Sequence, residues 1–160
     1  MENKRVFEQR PILCMAMLFI VVASAGLAHG QQCSTTSLAG NWAFSYSGTV
    51  ILPSGAVPVA SVGMFRSRAD GTVSGSETRS IGGDVADETI TATYGVSPNC
   101  KATFHFKVFD SGILARTATV TVVYDNNGRS ARGIFSGLVL ADGTVLPNII
   151  TVTASRISNE

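Results

Sequence analysis

The sequence predicts an all-β protein, an eight-stranded antiparallel up-and-down β-barrel that is preceded by a signal peptide and contains one disulfide. From Cys33 onward the chain holds fifteen Thr, fourteen Val and eight Ile but only two Lys and three Glu. β-Branched side chains favour strands, whereas these strong helix formers are scarce. Seven turn signals recur at regular spacing, and apolar residues alternate with polar ones between them.

The first thirty residues are predicted to be a secretory signal peptide. Basic residues among the first ten precede an apolar stretch over 12–28, and Ala28-His29-Gly30 supplies small residues for cleavage after Gly30. A membrane anchor is the alternative, although this stretch is at the short limit for a span. We therefore expect a single domain over residues 31–160 in a secreted or periplasmic location, with no membrane contact after cleavage.

The exported chain is electrically balanced and keeps two cysteines. Its nine basic and nine acidic residues from Cys33 onward give a net charge of zero, which argues against nucleic acid as a partner. Cys14 leaves with the signal, and an even cysteine count in an exported chain predicts a disulfide between Cys33 and Cys100. Two free thiols are the alternative. Closing so long a loop stabilises the fold by roughly 4 kcal/mol in the chain-entropy model.

Turn signals delimit the strands. Glycine and Asn supply the positive φ angles of tight hairpins, and Asp caps such turns with its own side chain. The predicted strands cover residues 41–51, 58–69, 72–80, 88–96, 101–109, 113–124, 129–140 and 144–157. Because every link is short, consecutive strands should pair antiparallel. A sandwich is the alternative, but it would need longer crossover connections.

Period-two alternation predicts the inward face of the first, fourth, fifth, sixth and eighth strands. The opposite faces are rich in Thr and should meet solvent. The predicted inward residues are Trp42, Phe44, Tyr46, Ile90, Ala92, Tyr94, Val96, Ala102, Phe104, Phe106, Val108, Ala118, Val120, Val122, Tyr124, Ile150, Val152 and Ala154.

The second and third strands carry charges that could reach the interior. Glu77 and Arg79 share one phase of the third strand, and Met64 shares a phase of the second strand with two arginines. Inside a closed cavity such charges would pair with each other or with a ligand. Alternatively, these strands turn their charges to water and bury Phe65.

The seventh strand is apolar on both phases. Phe135 and Val139 lie on one phase, whereas Ile134, Leu138 and Leu140 lie on the other. We expect a partner subunit or the N-terminal segment to cover its second face, which makes a homo-oligomer one expectation.

Leu38-Ala39-Gly40-Asn41-Trp42 resembles the opening of the calycins, the lipocalin and avidin group of eight-stranded barrels. In that group an Arg on the last strand often stacks on the Trp and closes one end of the barrel. The resemblance implies this role for Arg156, which is in phase with the inward residues of the last strand. The biotin-binding pattern of avidin is not matched, so no biotin site is implied.

A second resemblance is to barrels of the allene oxide cyclase and dirigent type, carried by residues 62–65, Asp70-Gly71 and Ser74-Gly75. The chain also looks like secreted bacterial β-barrel proteins that share the Asp-Gly hairpin and a Tyr-x-Val stretch followed by Cys, here 94–96 and Cys100. That likeness brings no established function.

The barrel interior is the predicted binding site, because small-molecule pockets combine apolar walls with a few convergent polar groups. The candidate ligand-binding residues are Phe44, Tyr46, Met64, Glu77, Arg79, Tyr94, Phe104, Phe106 and Tyr124. The expected function is non-enzymatic binding of a small, largely apolar ligand. One alternative is a packed structural barrel that self-associates. The other is a cyclase or isomerase that uses Glu77 as acid or base, which burial would favour by raising its pKa.

No metal site, cofactor or catalytic residue is predicted. His105 is the sole histidine after the signal, and its strand phase places it outside the barrel, where it cannot serve a nucleophile in the interior. The acidic turn with Asp84, Asp87 and Glu88 matches no calcium-loop spacing and is expected to be solvated.

Overall fold

A short helical turn leads into eight strands in the computed structural model, which describes residues 33–157. The predicted signal peptide lies outside the described residues. The elements are α1 (Thr35–Leu38), β1 (Gly40–Leu52), β2 (Gly55–Ser67), β3 (Thr72–Ile81), β4 (Asp84–Val96), β5 (Lys101–Asp110), β6 (Ile113–Asp125), a 3-10 turn (Asn126–Gly128), β7 (Ser130–Leu140) and β8 (Asn148–Ile157). Within this range no helix has the length and apolar character needed to cross a membrane.

The eight strands close into a barrel in sequence order. Each strand pairs antiparallel with the next, and β1 pairs with β8 from Asn41 opposite Ile157 to Val50 opposite Asn148. The predicted up-and-down barrel is thereby confirmed. Closure gives both outer strands a partner, so neither leaves an unpaired edge along this register.

Asp-Gly turns connect strands at both ends of the barrel. Thr72 N donates to Asp70 Oδ1 at 2.9 Å, and Gly71 adopts a φ of 82°. The turn before residue 144 repeats this arrangement, with Thr144 N donating to Asp142 Oδ1 at 2.9 Å. The side-chain acceptor and the positive φ are the two features that the sequence predicts for these turns.

One end of the barrel, the closed end, is covered by α1. Ser34 caps this turn, and the buried Leu38 points from it toward the core. Trp42 is 0% exposed, and its Nε1 donates to Leu38 O at 3.2 Å. Ser67 Oγ donates to the same carbonyl at 2.8 Å. These hydrogen bonds fasten the helical turn to β1 and β2.

The predicted disulfide is confirmed at the closed end. Cys33 and Cys100 are bonded, with 5.0 Å between their Cα atoms and a sequence separation of 67. Cys100 lies in the turn before β5, so the bond ties the segment preceding α1 to the β4–β5 connection.

A bulge in β7 explains why this strand is apolar on both phases. Gly137 pairs with Thr119 and Phe135 pairs with Val120, so Ser136 is an extra residue. An extra residue reverses the side-chain alternation beyond it. Leu138 is therefore buried inside its own barrel although it shares sequence phase with the exposed Ile134, and the expectation that another chain segment must cover Leu138 is corrected.

The inward face of β2 is the one that buries Phe65. Met64 is 61% exposed, so its predicted place in the barrel interior is wrong. The reason is the strand phase: Val59, Ser61, Phe65 and Ser67 are the buried residues.

Between these buried residues, Gly63 leaves room for the ring of Phe44. A Cβ at Gly63 would lie 2.7 Å from Phe44 Cε1 and Cζ. The missing side chain of β2 is thus replaced by an aromatic ring from β1, which keeps the interior packed at this level.

Candidate functional site

The barrel interior is divided by four charged side chains, Glu77, Arg79, Glu88 and Arg116, which we call the charged layer. Glu77 and Arg79 come from β3, Glu88 from β4 and Arg116 from β6. Glu77, Glu88 and Arg116 are buried, and Arg79 keeps 12% of its side chain exposed. An aromatic cavity lies on the closed side of this layer, and a second cavity lies between the layer and the open end.

The cavity on the closed side, the inner cavity, is small and aromatic. Its volume is about 60 Å³. The aromatic rings that line it include Phe44, Phe65, Phe104, Phe106, Tyr124 and Phe135. These rings pack on one another, with Phe44 and Phe65 centroids 5.7 Å apart and Phe104 and Phe106 centroids 5.6 Å apart. A water molecule needs roughly 10–15 Å³ of such space, so the cavity has room for a few waters.

The cavity at the other end, the mouth cavity, is larger and has aliphatic walls. Its volume is about 270 Å³, close to the ~300 Å³ at which small-molecule pockets begin. Its aliphatic lining includes Val50, Leu52, Val57, Ile81, Leu140 and Leu146. Arg79, Glu88, Asp110 and Arg116 supply its polar groups. Apolar walls around a few fixed charges are the composition of a ligand site.

Arg116 joins two carboxylates that face it from neighbouring strands. Its Nη1 and Nη2 donate to Glu88 Oε1 at 2.7 Å and Oε2 at 2.5 Å, which is a bidentate pair. Nη2 also donates to Glu77 Oε1 at 3.0 Å. Ser61 Oγ donates to the other oxygen of Glu77 at 2.7 Å. These contacts satisfy the buried charges without water.

Arg79 extends the network toward the open end. Its Nε donates to Glu88 Oε1 at 3.2 Å, and its Nη1 donates to Asp84 Oδ2 at 2.5 Å. The nearest approach of Arg79 to Asp110 is longer, 3.9 Å from Nη2 to Oδ2. Asp110 is therefore the least tightly paired of the carboxylates that line the mouth cavity.

The two buried glutamates respond oppositely to their surroundings. Burial raises the pKa of Glu77, and the hydrogen bond from Ser61 and the charge of Arg116 oppose this only in part. Burial also favours a higher pKa for Glu88, but the hydrogen bonds and charges of Arg116 and Arg79 outweigh it and leave the pKa lowered. Burial and the nearby Glu77 charge raise the pKa of Tyr46 to about 12. Of the two glutamates, Glu77 is thus the one that takes up a proton more readily.

The predicted site residues fall into four groups. Six of them line the inner cavity: Phe44, Tyr46, Glu77, Phe104, Phe106 and Tyr124. Arg79 lines the mouth cavity. Tyr94 is buried at the closed end, where its hydroxyl lies 3.0 Å from Thr35 O and 2.9 Å from Arg68 O. Met64 lies on the outer surface.

Glu88 and Arg116 belong to the charged layer but were not predicted as site residues. The signal was present in the alternation: Glu88 is two residues before Ile90 and Arg116 is two residues before Ala118, so each continues an inward phase. Glu88 was missed because it was grouped with the acidic turn around residue 84, which was expected to be solvated. Arg116 was missed because it lies near the start of a strand, where an Arg is usually exposed.

Arg156 lies over the closed end. Its Cζ is 5.8 Å from the centroid of the Trp42 ring, within cation–π range. The guanidinium donates to Ala39 O and, at 3.4 Å, to Ser37 O, while the side chain remains exposed. The residue therefore links the last strand, the first strand and α1.

Residues 33–157 contain no group of three or more His, Cys, Asp or Glu side chains that could hold a metal ion. His105 is exposed on the outer face of β5, where its Nδ1 lies 3.4 Å from Thr119 Oγ1. The histidine therefore lines neither cavity.

Comparisons with known proteins place the fold and nothing finer. No family model matches the sequence, and no curated protein does. Among solved structures, the chain is similar to EF1p2_mFAP2b bound to DFHBI, with 15% identity, a TM-score of 0.50 and coverage of 77% of this chain and 98% of that one. It is also similar to a redesigned β-barrel, mFAP1, bound to DFHBI, with 17% identity, a TM-score of 0.48 and coverage of 74% and 94%. What this chain shares with the first of these structures is the β-barrel fold.

Proposed function

We propose that this protein is an extracytoplasmic barrel that binds a small, largely apolar molecule through its open end, without catalysing a reaction. The mouth cavity carries the proposal. It combines a volume of about 270 Å³ with aliphatic walls and a charged floor, and it lies where strand ends leave the barrel accessible. Transferring apolar ligand surface from water into such walls is favourable at roughly 25 cal/mol per Å².

The relative size of the two interior cavities favours the mouth cavity as the place where the ligand binds. The inner cavity, at about 60 Å³, takes only a few waters. The aromatic residues that line the inner cavity therefore pack beneath the charged layer, on its closed side, and do not enclose the ligand. The mouth cavity is the place with room for a molecule.

Two observations support an extracytoplasmic location. The first thirty residues have the layout of a signal peptide. The Cys33–Cys100 disulfide is the kind of bond that persists in oxidising compartments.

The closed end of the barrel supports the resemblance to the calycins. The position of Arg156 over the Trp42 ring supports the calycin resemblance, because that group closes its barrel with such a pair. The similar solved barrel EF1p2_mFAP2b is bound to a small ligand, DFHBI. This agrees with a binding role for an eight-stranded barrel and says nothing of the chemistry of the ligand here.

Catalysis by Glu77 is a second candidate, favoured by the burial and raised pKa of this carboxyl. Its carboxyl faces the inner cavity and is hydrogen-bonded to Ser61 and Arg116. A substrate beside it would need space that the inner cavity does not have. Binding in the mouth cavity is therefore the better supported function.

Self-association is a third candidate, favoured by an apolar stripe on the outer face. Ile134 pairs with Thr151 and Ile149 pairs with Thr49, which places Ile51, Ile149 and Ile134 along one diagonal of exposed side chains. Light scattering at high protein concentration tests this candidate, and a strictly monomeric mass would count against it.

A fluorescence titration tests the binding proposal. We expect N-phenyl-1-naphthylamine, a neutral probe that brightens in apolar surroundings, to bind the protein. The Val57→Trp variant fills the mouth cavity and should weaken probe binding by about tenfold or more, because overpacking excludes the ligand. The matched control is Val62→Trp, the same change on the outer face of the same strand.

The control should bind the probe with an affinity within about twofold of the wild type. Equal effects of the two variants, or no binding by the wild type, would contradict the proposal. Circular dichroism verifies that both variants keep the strand spectrum.

A further inference from the structure

The described charges are segregated along the barrel axis. The open half carries six carboxylates against three cations, Arg79, Lys107 and Arg116, a formal charge of −3. These carboxylates are Glu77, Asp84, Asp87, Glu88, Asp110 and Asp142. The closed half carries six cations, Arg66, Arg68, Lys101, Arg129, Arg132 and Arg156, against two carboxylates, a formal charge of +4. The open end, which holds the larger of the two interior cavities formed by residues 33–157, therefore has a negative field, and such a field concentrates cations there.

Within the mouth cavity, one carboxylate retains capacity for a new partner. Both oxygens of Glu88 accept from Arg116, and one also accepts from Arg79. Asp110 lines the same cavity with 43% of its side chain exposed. Its contacts are the long 3.9 Å approach of Arg79 and a hydrogen bond from Ser111 Oγ at 3.0 Å. Its position on the wall and its weak pairing distinguish it from the other carboxylates.

A second acceptor lies at the same end of the barrel. Asn148 continues the inward phase of β8, and its neighbours Leu146 and Ile150 line the mouth cavity. Its Nδ2 donates to Leu146 O at 3.3 Å, whereas its buried Oδ1 has no hydrogen-bond partner within residues 33–157. Such an acceptor can take a hydrogen bond from water or from the donor of a bound molecule.

We infer that the molecule bound in the mouth cavity is an organic cation, an ammonium or guanidinium compound with an apolar body, and that Asp110 pairs with its charge. The aliphatic walls take the apolar body of the molecule, and the partly exposed Asp110 takes its charged end. This inference rests on the proposed binding function and names the class of ligand. An anionic compound of the same size would meet the same walls but the opposite field.

An NMR titration with three probes of equal chain length separates charge from apolar burial. The probes are hexylammonium, 1-hexanol and hexanoate, added to the ¹⁵N-labelled protein at neutral pH. We expect hexylammonium to bind about tenfold more tightly than hexanoate, with shifts at the mouth. Its affinity should fall with added salt, since screening weakens the attraction.

Matched variants locate the charge that matters. Asp110→Asn should weaken hexylammonium binding by about tenfold and leave 1-hexanol within about twofold. Asp87→Asn makes the same charge change at the open end. However, Asp87 lies on the outer face, where its Oδ1 accepts a hydrogen bond from Thr78 Oγ1 at 2.6 Å. This control should leave the affinity for hexylammonium within about twofold.

The outcomes distinguish the inference from the proposed function. If 1-hexanol and hexanoate bind as tightly as hexylammonium, the cation inference is overturned while the binding function stands. If Asp87→Asn weakens hexylammonium binding as much as Asp110→Asn, the assigned role of Asp110 is overturned. If none of the three probes shifts resonances at the mouth, both the inference and the proposed binding function fail.

Discussion

At the scale of single residues, the charged layer is the costliest part of the barrel to bury. Two carboxylates share one guanidinium, and desolvating such a cluster offsets most of its Coulombic gain. Its hydrogen bonds are complete, with both oxygens of Glu77 and Glu88 occupied. Removing one member therefore leaves its partners charged and without that contact. This loss lowers the free energy of unfolding.

Glu88→Gln should lower the free energy of unfolding by about 3 kcal/mol at neutral pH, because it breaks the bidentate pair with Arg116. The folded pKa of Glu88 lies below its ordinary value of 4.5. Its contribution is therefore fully present above 4.5 and is lost as the pH falls through the folded pKa. Urea unfolding at a series of pH values should show the gap between wild type and variant closing on acidification. A gap that is independent of pH would contradict this assignment.

Glu77→Gln should show the opposite pH dependence. The folded pKa of Glu77 is raised above 4.5, so its contribution is fully present below 4.5 and is lost as the pH rises through the raised value. Relative to the wild type, the variant should gain stability between acidic and neutral pH, because glutamine resembles the protonated form that burial favours. The same urea series measures it, and Glu88→Gln serves as the control of opposite sign.

The sequence left open whether Glu77 and Arg79 point into the barrel, and it did not identify their partners. The structure buries the phase of β3 that contains Val73 and Glu77. Alternation from Ala118 also predicts that Arg116 points inward. However, a charged residue near a strand end is expected to be solvated unless an opposite charge is known to face it. The pairing of β3 with β4, and the crossing of the barrel by Arg116, are tertiary facts that one strand's sequence does not contain.

At the scale of secondary-structure elements, β7 shows how one extra residue changes the face of a strand. Ser136 has no partner in β6, and the inward phase moves from odd to even positions across it. A bulge of this kind bends the strand and increases its twist. Here it lets Phe135 line the inner cavity and Leu138 line the mouth cavity.

Leu138→Ala and Ile134→Ala form a matched pair for the bulge. Leu138 is 4% exposed and Ile134 is 54% exposed, although both lie on even positions of one strand. Leu138→Ala should lower the free energy of unfolding by about 2–4 kcal/mol, the cost of a buried cavity. Ile134→Ala should change it by about 0.5 kcal/mol or less. Chemical denaturation measures both, and equal losses would mean that the two side chains share a face.

Strand number and order followed from turn chemistry, whereas strand boundaries and faces did so only in part. Asp-Gly pairs marked hairpins whose caps the structure reproduces at Asp70 and Asp142. The last strand starts at Asn148 rather than at 144, since Pro147 lacks a donor for a ladder. The bulge could not be located in advance, because an inserted residue leaves only a blurred alternation. For β2 both phases were plausible, and Phe65 rather than Met64 is buried.

At the scale of the whole molecule, the barrel is fastened at one end. The pairing of β1 with β8 closes the sheet, and the disulfide, α1 and Arg156 all join at the closed end. The open end carries only tight turns and the connection over residues 141–147. The same fold thus combines a fixed base with a set of short loops around the mouth.

Replacing both cysteines by Ser should test how much the fastening contributes. Cys33→Ser with Cys100→Ser should lower the free energy of unfolding by about 2–4 kcal/mol, because the unfolded chain regains the entropy of a long loop. We expect the strand spectrum in circular dichroism to persist and the residues before β1 to become susceptible to limited proteolysis. An unchanged melting temperature would contradict the stabilising role of the bond. Unreduced wild type at the same concentration is the control.

The sealed base has a consequence for how a guest moves. Because Trp42 and Arg156 cover the closed end, a ligand must enter and leave the barrel through the open end. An elongated amphiphile must then enter tail first, since a charged head leading the way would have to shed its water among aliphatic side chains. The charged head then lies at the rim of the mouth cavity, beside Asp110. The ligand dissociates past the loops that surround this opening.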